Sequence, residues 1–221
     1  MAEIDPVRRA EIGREKRART RARLIKSARV LFAGQAVESV TVDDVVKQAG
    51  VARGTFYSHF VDLPALVAAV EFDLVDSVDE LLQPTRLSIE DPLERLAFGC
   101  SRFLDKAAAD PAWARIVAKL GTRVPVGSET LVTRITEDLR RLSTGSTEAV
   151  APALGLEIVL GLMLWFVGAY GEGRLAESDR DAAITAVLRA VGANSGRISG
   201  VIARLPGARE SLPRLKAAAS S

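Results

Sequence analysis

The sequence holds a single cysteine, a single histidine and only 5% aromatic residues. Each scarcity closes a class of explanation. Cys100 alone forms no internal disulfide, and Cys100 with His59 falls short of a structural zinc site, which takes four ligands from Cys and His. No metal is expected. A Ser/His/Asp or Cys/His catalytic set would have to be built on His59, and no P-loop is present. Gly171-Glu172-Gly173 leads to Ala176 instead of a third glycine and follows a helical stretch, so it is no dinucleotide loop, and no cofactor is expected. The apolar run from Ile158 to Tyr170 covers 13 residues, short of the roughly 20 that cross a bilayer. An apolar h-region is missing behind the N-terminus, which makes a reducing cytoplasm the expected compartment.

What is present is an ordinary globular composition, 48% apolar and 26% charged over 221 residues, long enough to bury a core without covalent staples. The net charge of +2 conceals an asymmetry: residues 1–60 carry twelve Lys/Arg against seven Asp/Glu, whereas residues 61–221 carry eighteen against twenty-one. Between Arg8 and Arg29 ten basic side chains face two acids, Glu11 and Glu15. Such a run is a solvated helix face, a nucleic-acid contact or an anionic-membrane contact.

Apolar residues recur at three and four along nearly the whole chain, and period-2 alternation is almost missing, so the expected fold class is all-α. Leu24, Ala28, Leu31 and Phe32 stripe a first helix. Thr41 caps a short second helix through the amide of Asp44, and Gly50 stops it. A third short helix covers Ala52 to Ser58, and a fourth starts at Asp62 and ends before Pro84. Longer helices are expected at Pro92–Ala109, Pro111–Leu120, Glu129–Leu142, Ala149–Tyr170 and Asp179–Ala193, with Asn194–Gly200 read as a loop. A capped helix, a glycine stop and a second short helix are the layout of a helix-turn-helix, whose second helix enters the major groove. Phe56 and Phe60 would pack inward, leaving Arg53, Thr55, Tyr57, Ser58 and His59 at the groove and backbone, with Gly54 leaving room for close approach.

Thr41-Val42, Gln48-Ala49-Gly50-Val51 and Gly54-Thr55-Phe56-Tyr57-Ser58-His59-Phe60, preceded by Leu31-Phe32 and followed by Leu66, resemble the N-terminal DNA-binding domain of TetR-family transcriptional regulators. The resemblance implies DNA-facing roles for Thr41, Arg53, Thr55, Tyr57 and His59. It also implies a variable helical effector domain behind the first 65 residues. The chain departs from the family pattern at Ala36, where glycine is common, at Ala52, where a serine-like cap is usual, and at Leu63, where a lysine often meets phosphate.

The expected organisation is a basic arm over 1–20, the helix-turn-helix domain over 21–65, a helical ligand-binding and dimerisation domain over 66–205, and a loose tail over 206–221. The expected function is a ligand-responsive repressor, not an enzyme, released from a palindromic duplex operator by a small hydrophobic effector. Phe98, Arg102, Phe103, Trp113, Met163 and Phe166 are the expected pocket residues. A homodimer is expected through the last two long helices, with Gly161, Gly168, Ala183, Val187 and Ala190 at the seam, and no membrane partner. The alternative is a nonspecific nucleic-acid or anionic-membrane binder working through Arg8 to Arg29.

Overall fold

In the computed structural model every regular element among the described residues, 6–121, 129–143 and 150–207, is helical. Pro125 and Gly127, read as a loop, and the tail from residue 208 lie outside them. The chain divides into two compact units, Met1–Val70 and Glu71–Ser221.

The first unit holds α1 (Pro6–Gly34), α2 (Val42–Ala49), α3 (Arg53–Tyr57) and the opening turns of α4 (Leu63–Arg86). Leu24, Ala28 and Phe32 of α1, Val45 of α2, Phe56 of α3 and Leu66 and Val70 of α4 are wholly buried together. Phe56 and Phe60 stack with ring centroids 5.8 Å apart. Thr41 closes a capping box, its Oγ1 accepting from the Asp44 amide while the Asp44 carboxylate accepts from the Thr41 amide at 2.9 Å. Gly50 ends α2 in the left-handed region at φ 61°, the turn that lets α3 set off in a new direction. From Pro6 onward the expected basic arm is helix: α1 starts at that proline, a residue suited to a first turn, and runs on largely through Arg, Lys, Glu and Ala, all strong helix formers.

In the second unit the rest of α4 is joined by α5 (Pro92–Ala109), α6 (Pro111–Leu120), α7 (Glu129–Ser143), α8 (Pro152–Gly171), α9 (Arg180–Ala190) and α10 (Ser195–Arg204). Asp91 and Asp110 cap α5 and α6 by accepting from the amides of Leu93 and Trp113, each ahead of a first-turn proline. Helix α8 is the centrepiece, packed against α5, α6, α7 and α9.

Four expectations are corrected here. Helix α4 continues past Pro84 to Arg86: the proline gives up its own amide as a donor, while the Leu87 amide still reaches the Gln83 carbonyl at 2.9 Å. The supposed loop at Asn194–Gly200 is the cap and body of α10, held by Ile198 and Val201 in the core. Gly168 faces Ala118 of its own α6, 3.1 Å from where a Cβ would sit, and Ala183 and Val187 are buried within the chain, so none of the three is free for a dimer seam. Finally, the tail is tied at its first residue: the Pro206 carbonyl accepts from Arg102 and Arg180, both at 2.9 Å.

Helix α8 is long and apolar enough to cross a membrane, yet only a third of its most apolar stretch is buried. Glu157, Gly161 and Trp165 lie on its exposed side, and nothing stands within 4 Å of a Cβ built on Gly161.

Candidate nucleic-acid interface and effector cleft

Helix α3 buries Phe56 and turns Arg53, Gly54, Tyr57 and Ser58 outward, with Thr55 and His59 half-buried beside them. These polar groups are already oriented. Arg53 Nη1 donates to both Asp43 oxygens, at 2.7 and 3.0 Å, and its Nη2 approaches the Tyr57 hydroxyl at 3.5 Å. The Arg53 guanidinium also lies over the Tyr57 ring at 5.9 Å, and the edge of that ring meets Phe56 at 5.3 Å. A buried phenylalanine thus fixes the tyrosine, and the tyrosine and Asp43 fix the arginine. Sequence reasoning found Arg53 but missed Asp43, ten residues away on the preceding helix.

Ala52 carries no side-chain cap for α3, whereas Asp62 caps α4 by accepting from the Ala65 amide at 2.8 Å. Leu63 is half-buried at the start of α4. The open space beside Gly54 leaves the outer surface of α3 accessible to a close backbone. The far end of α3 is cationic: Arg17 donates to the Ser58 carbonyl at 3.0 Å and Arg21 lies over the Phe60 ring at 5.1 Å. Partial burial, and then Arg17 and Arg21, hold the His59 pKa below its usual value.

The second unit contains a partly open cleft. Its walls come from α4, α5, α6, α7 and α8, with Val75, Leu96, Leu131, Val159, Leu160 and Val167 supplying aliphatic surface. Of the six expected pocket residues, Phe103 and Met163 line this cleft; Phe98, Arg102, Trp113 and Phe166 are not among its lining residues. Arg102 is spent elsewhere, in a buried cluster in which Asp105 accepts from Arg180 at 2.6 Å and stands 3.3 Å from Arg102. Desolvation raises the Asp105 pKa against the pull of these arginines. Trp113 is buried, its indole donating to the Leu74 carbonyl at 3.1 Å, and Phe166 meets the exposed Trp165 edge-on at 5.5 Å.

Each charged side chain at the cleft has an ion-pair partner, three arginines being set against two aspartates. Arg86 and Arg95 share Asp138, the latter at 2.7 Å, and Arg134 pairs with Asp79. Cys100 also lines the cleft, but burial pushes its thiol up to about 12, so it stays protonated and unreactive. Sequence reasoning missed most of this wall because aliphatic side chains and Gly99 are indistinguishable from core until a space appears between them. Among the described residues no group of three or more His, Cys, Asp or Glu is arranged to hold a metal ion.

Residues 24–70 match the model for bacterial regulatory proteins of the tetR family. The chain is 28% identical over 153 residues to the HTH-type transcriptional regulator AlkX of Mycobacterium tuberculosis, covering 69% of this chain and 70% of that one. It is 35% identical over 91 residues to the probable regulator ArpR of Pseudomonas putida, a segment spanning 41% of either chain. Among solved structures, RolR in complex with resorcinol superimposes with a TM-score of 0.61 at 27% identity, covering 87% of this chain and 97% of that chain.

Proposed function

We propose, on the match of residues 24–70 to bacterial regulatory proteins of the tetR family, that this chain is a member of that family and a ligand-responsive repressor, a homodimer released from a palindromic operator by a small hydrophobic effector. The observation that carries the reading is α3 itself: Arg53, Tyr57 and Ser58 project outward in fixed orientations above a buried Phe56. Hydroxyls and cations of this kind position a protein on phosphate, and an arginine can read guanine with two parallel hydrogen bonds. Arg53, Thr55 and Gly54 take the groove, and Thr41, Tyr57, Ser58 and His59 the backbone.

One short recognition helix reads only a few base pairs, so two copies are required. The exposed stripe of α8, with Leu154 and Trp165 each 56% exposed and Gly161 open between them, is the surface proposed to meet its symmetry mate. The effector belongs in the α4–α8 cleft, between Phe103 and Met163. The wall is mainly aliphatic and its arginines are already ion-paired, which favours apolar fit, and RolR, solved with resorcinol, holds a small aromatic. A ligand acts only by preferring one dimer shape to another.

The test is a titration of the protein bound to an operator duplex, selected by the protein itself from a random pool, with neutral aromatics and with fatty acids. Release by the neutral compounds, lost in Met163→Arg, supports the reading. Filling of the cleft with no change in operator affinity contradicts it.

A further inference from the structure

The stripe that seats α1 in the first unit is Leu24, Ala28 and Phe32, all wholly buried. Followed toward the N-terminus in steps of three and four, the same helix face carries Arg21, Arg17 and Arg14. It turns from apolar to cationic where it meets the end of α3, with Arg21 over Phe60 and Arg17 on the Ser58 carbonyl. Residues 8–19 beyond that point are all exposed, and at about 1.5 Å per residue α1 runs on from Arg17 to Pro6 for roughly 17 Å. Among the described residues no carboxylate lies within ion-pair distance of Arg8, Arg9, Arg14, Arg17, Arg19, Arg21 or Arg23.

Two shapes of partner are disfavoured by geometry. An α-helix is about 10 Å across and does not enter a minor groove about 6 Å wide, so the extension cannot work as an inserted arm. An anionic bilayer demands an apolar face beside the basic one, and between residues 8 and 19 Ile12 is the only large apolar side chain. What remains is a rigid cationic rod leaving the end of a recognition helix.

We propose that this α1 extension is a phosphate-binding site for duplex DNA flanking each half-site, with Arg14 on the face that meets α3, and Arg9 and Arg8 reaching from the other sides of the exposed end, on phosphates outside the region read by α3. It rests on the DNA-binding reading above, and adds affinity without sequence information.

The test uses the full chain, the Arg8→Gln/Arg9→Gln/Arg14→Gln variant, whose replaced side chains are exposed and make no hydrogen bond or ion pair among the described residues, and the corresponding triple Lys variant. Each is titrated with the selected operator as a core duplex and as the same core with ten added base pairs on either side. The wild type should bind the flanked duplex with the steeper salt dependence. The Gln variant should lose about 2.7 in log–log slope per protomer on the flanked duplex, near 0.9 for each phosphate contact, and nothing on the core. The Lys variant should keep the wild-type slope, and circular dichroism should show unchanged helicity. Equal slopes for wild type and Gln variant on the flanked duplex overturn the proposal. So does tight, variant-sensitive binding to phosphatidylglycerol vesicles without any dependence on flank length. If selection enriches no sequence, the operator reading falls by itself, and the slopes on mixed-sequence duplex still decide the role of α1 by the same criterion.

Discussion

Asp43 holds the guanidinium that is proposed to read the operator, through one nitrogen, and leaves the Nε edge of Arg53 unengaged. Losing Arg53 removes a base contact, so Arg53→Ala should weaken operator binding by roughly tenfold to a hundredfold with melting temperature unchanged. Losing Asp43 should do something different. Asp43→Asn removes a negative charge facing phosphate and frees the arginine to take any phosphate in reach. Affinity for mixed-sequence duplex should rise while the ratio of operator to mixed-sequence affinity falls, measured by anisotropy at matched salt.

His59 gives a pH handle with a definite sign. Its pKa in the free protein is lowered, first by burial and then by Arg17 and Arg21, so its contribution to stability is full above the unfolded value of about 6.5 and is lost as pH falls below it. A phosphate beside the ring reverses the bias and raises the pKa in the complex. Operator affinity should therefore increase as pH drops from 7.5 to about 6, and His59→Gln should abolish the dependence. At the uncapped start of α3, Ala52→Ser should raise stability by about 1 kcal/mol in thermal denaturation, because Ala52 already has the extended backbone of an N-cap.

Among the elements, legibility followed the strength of local signals. The capping box at Thr41, the glycine stop at Gly50 and the Asp-Pro starts of α5 and α6 each couple residue type to backbone conformation, and the sequence shows them directly. Helix α10 was obscured by Gly196, Ser199 and Gly200, although Ile198, Val201 and Leu205 recur at helical spacing around them. The glycines of α8 show the limit of pattern reading. One-dimensional spacing pairs Gly161 with Gly168, but only packing reveals that Gly168 meets α6 inside the chain while Gly161 is open. The two helix sides therefore respond differently to substitution. Gly171→Ala places a Cβ 2.9 Å from the Arg115 backbone nitrogen, which cannot move as a side chain would, and should destabilise the fold by about 1–3 kcal/mol. Gly161→Trp should leave thermal stability of the isolated chain intact yet shift sedimentation from dimer to monomer at micromolar concentration.

For the molecule as a whole, the two units differ in how they can be read. The DNA-binding unit announces itself because its chemistry is crowded into twenty residues from Thr41 to Phe60. The cleft proposed for the effector draws its wall from five helices spread between Val75 and Val167, so no window of sequence contains it. Charge partners across such distances were equally hidden: Asp138 joins Arg86 and Arg95 from residues more than forty positions apart. Helix α4 starts in the first unit at Leu63, and its later residues Val75, Asp79 and Arg86 line the cleft. Sequence-specific recognition by two copies of α3 is tested by selecting duplexes from a randomised pool with the full chain and sequencing what is retained. An inverted repeat whose half-sites lie about one helical turn or a modest multiple apart is expected, recovered by wild type and lost with Arg53→Ala and Tyr57→Ala. Retention of duplexes without enrichment, or an enriched site unchanged by both substitutions, would contradict it.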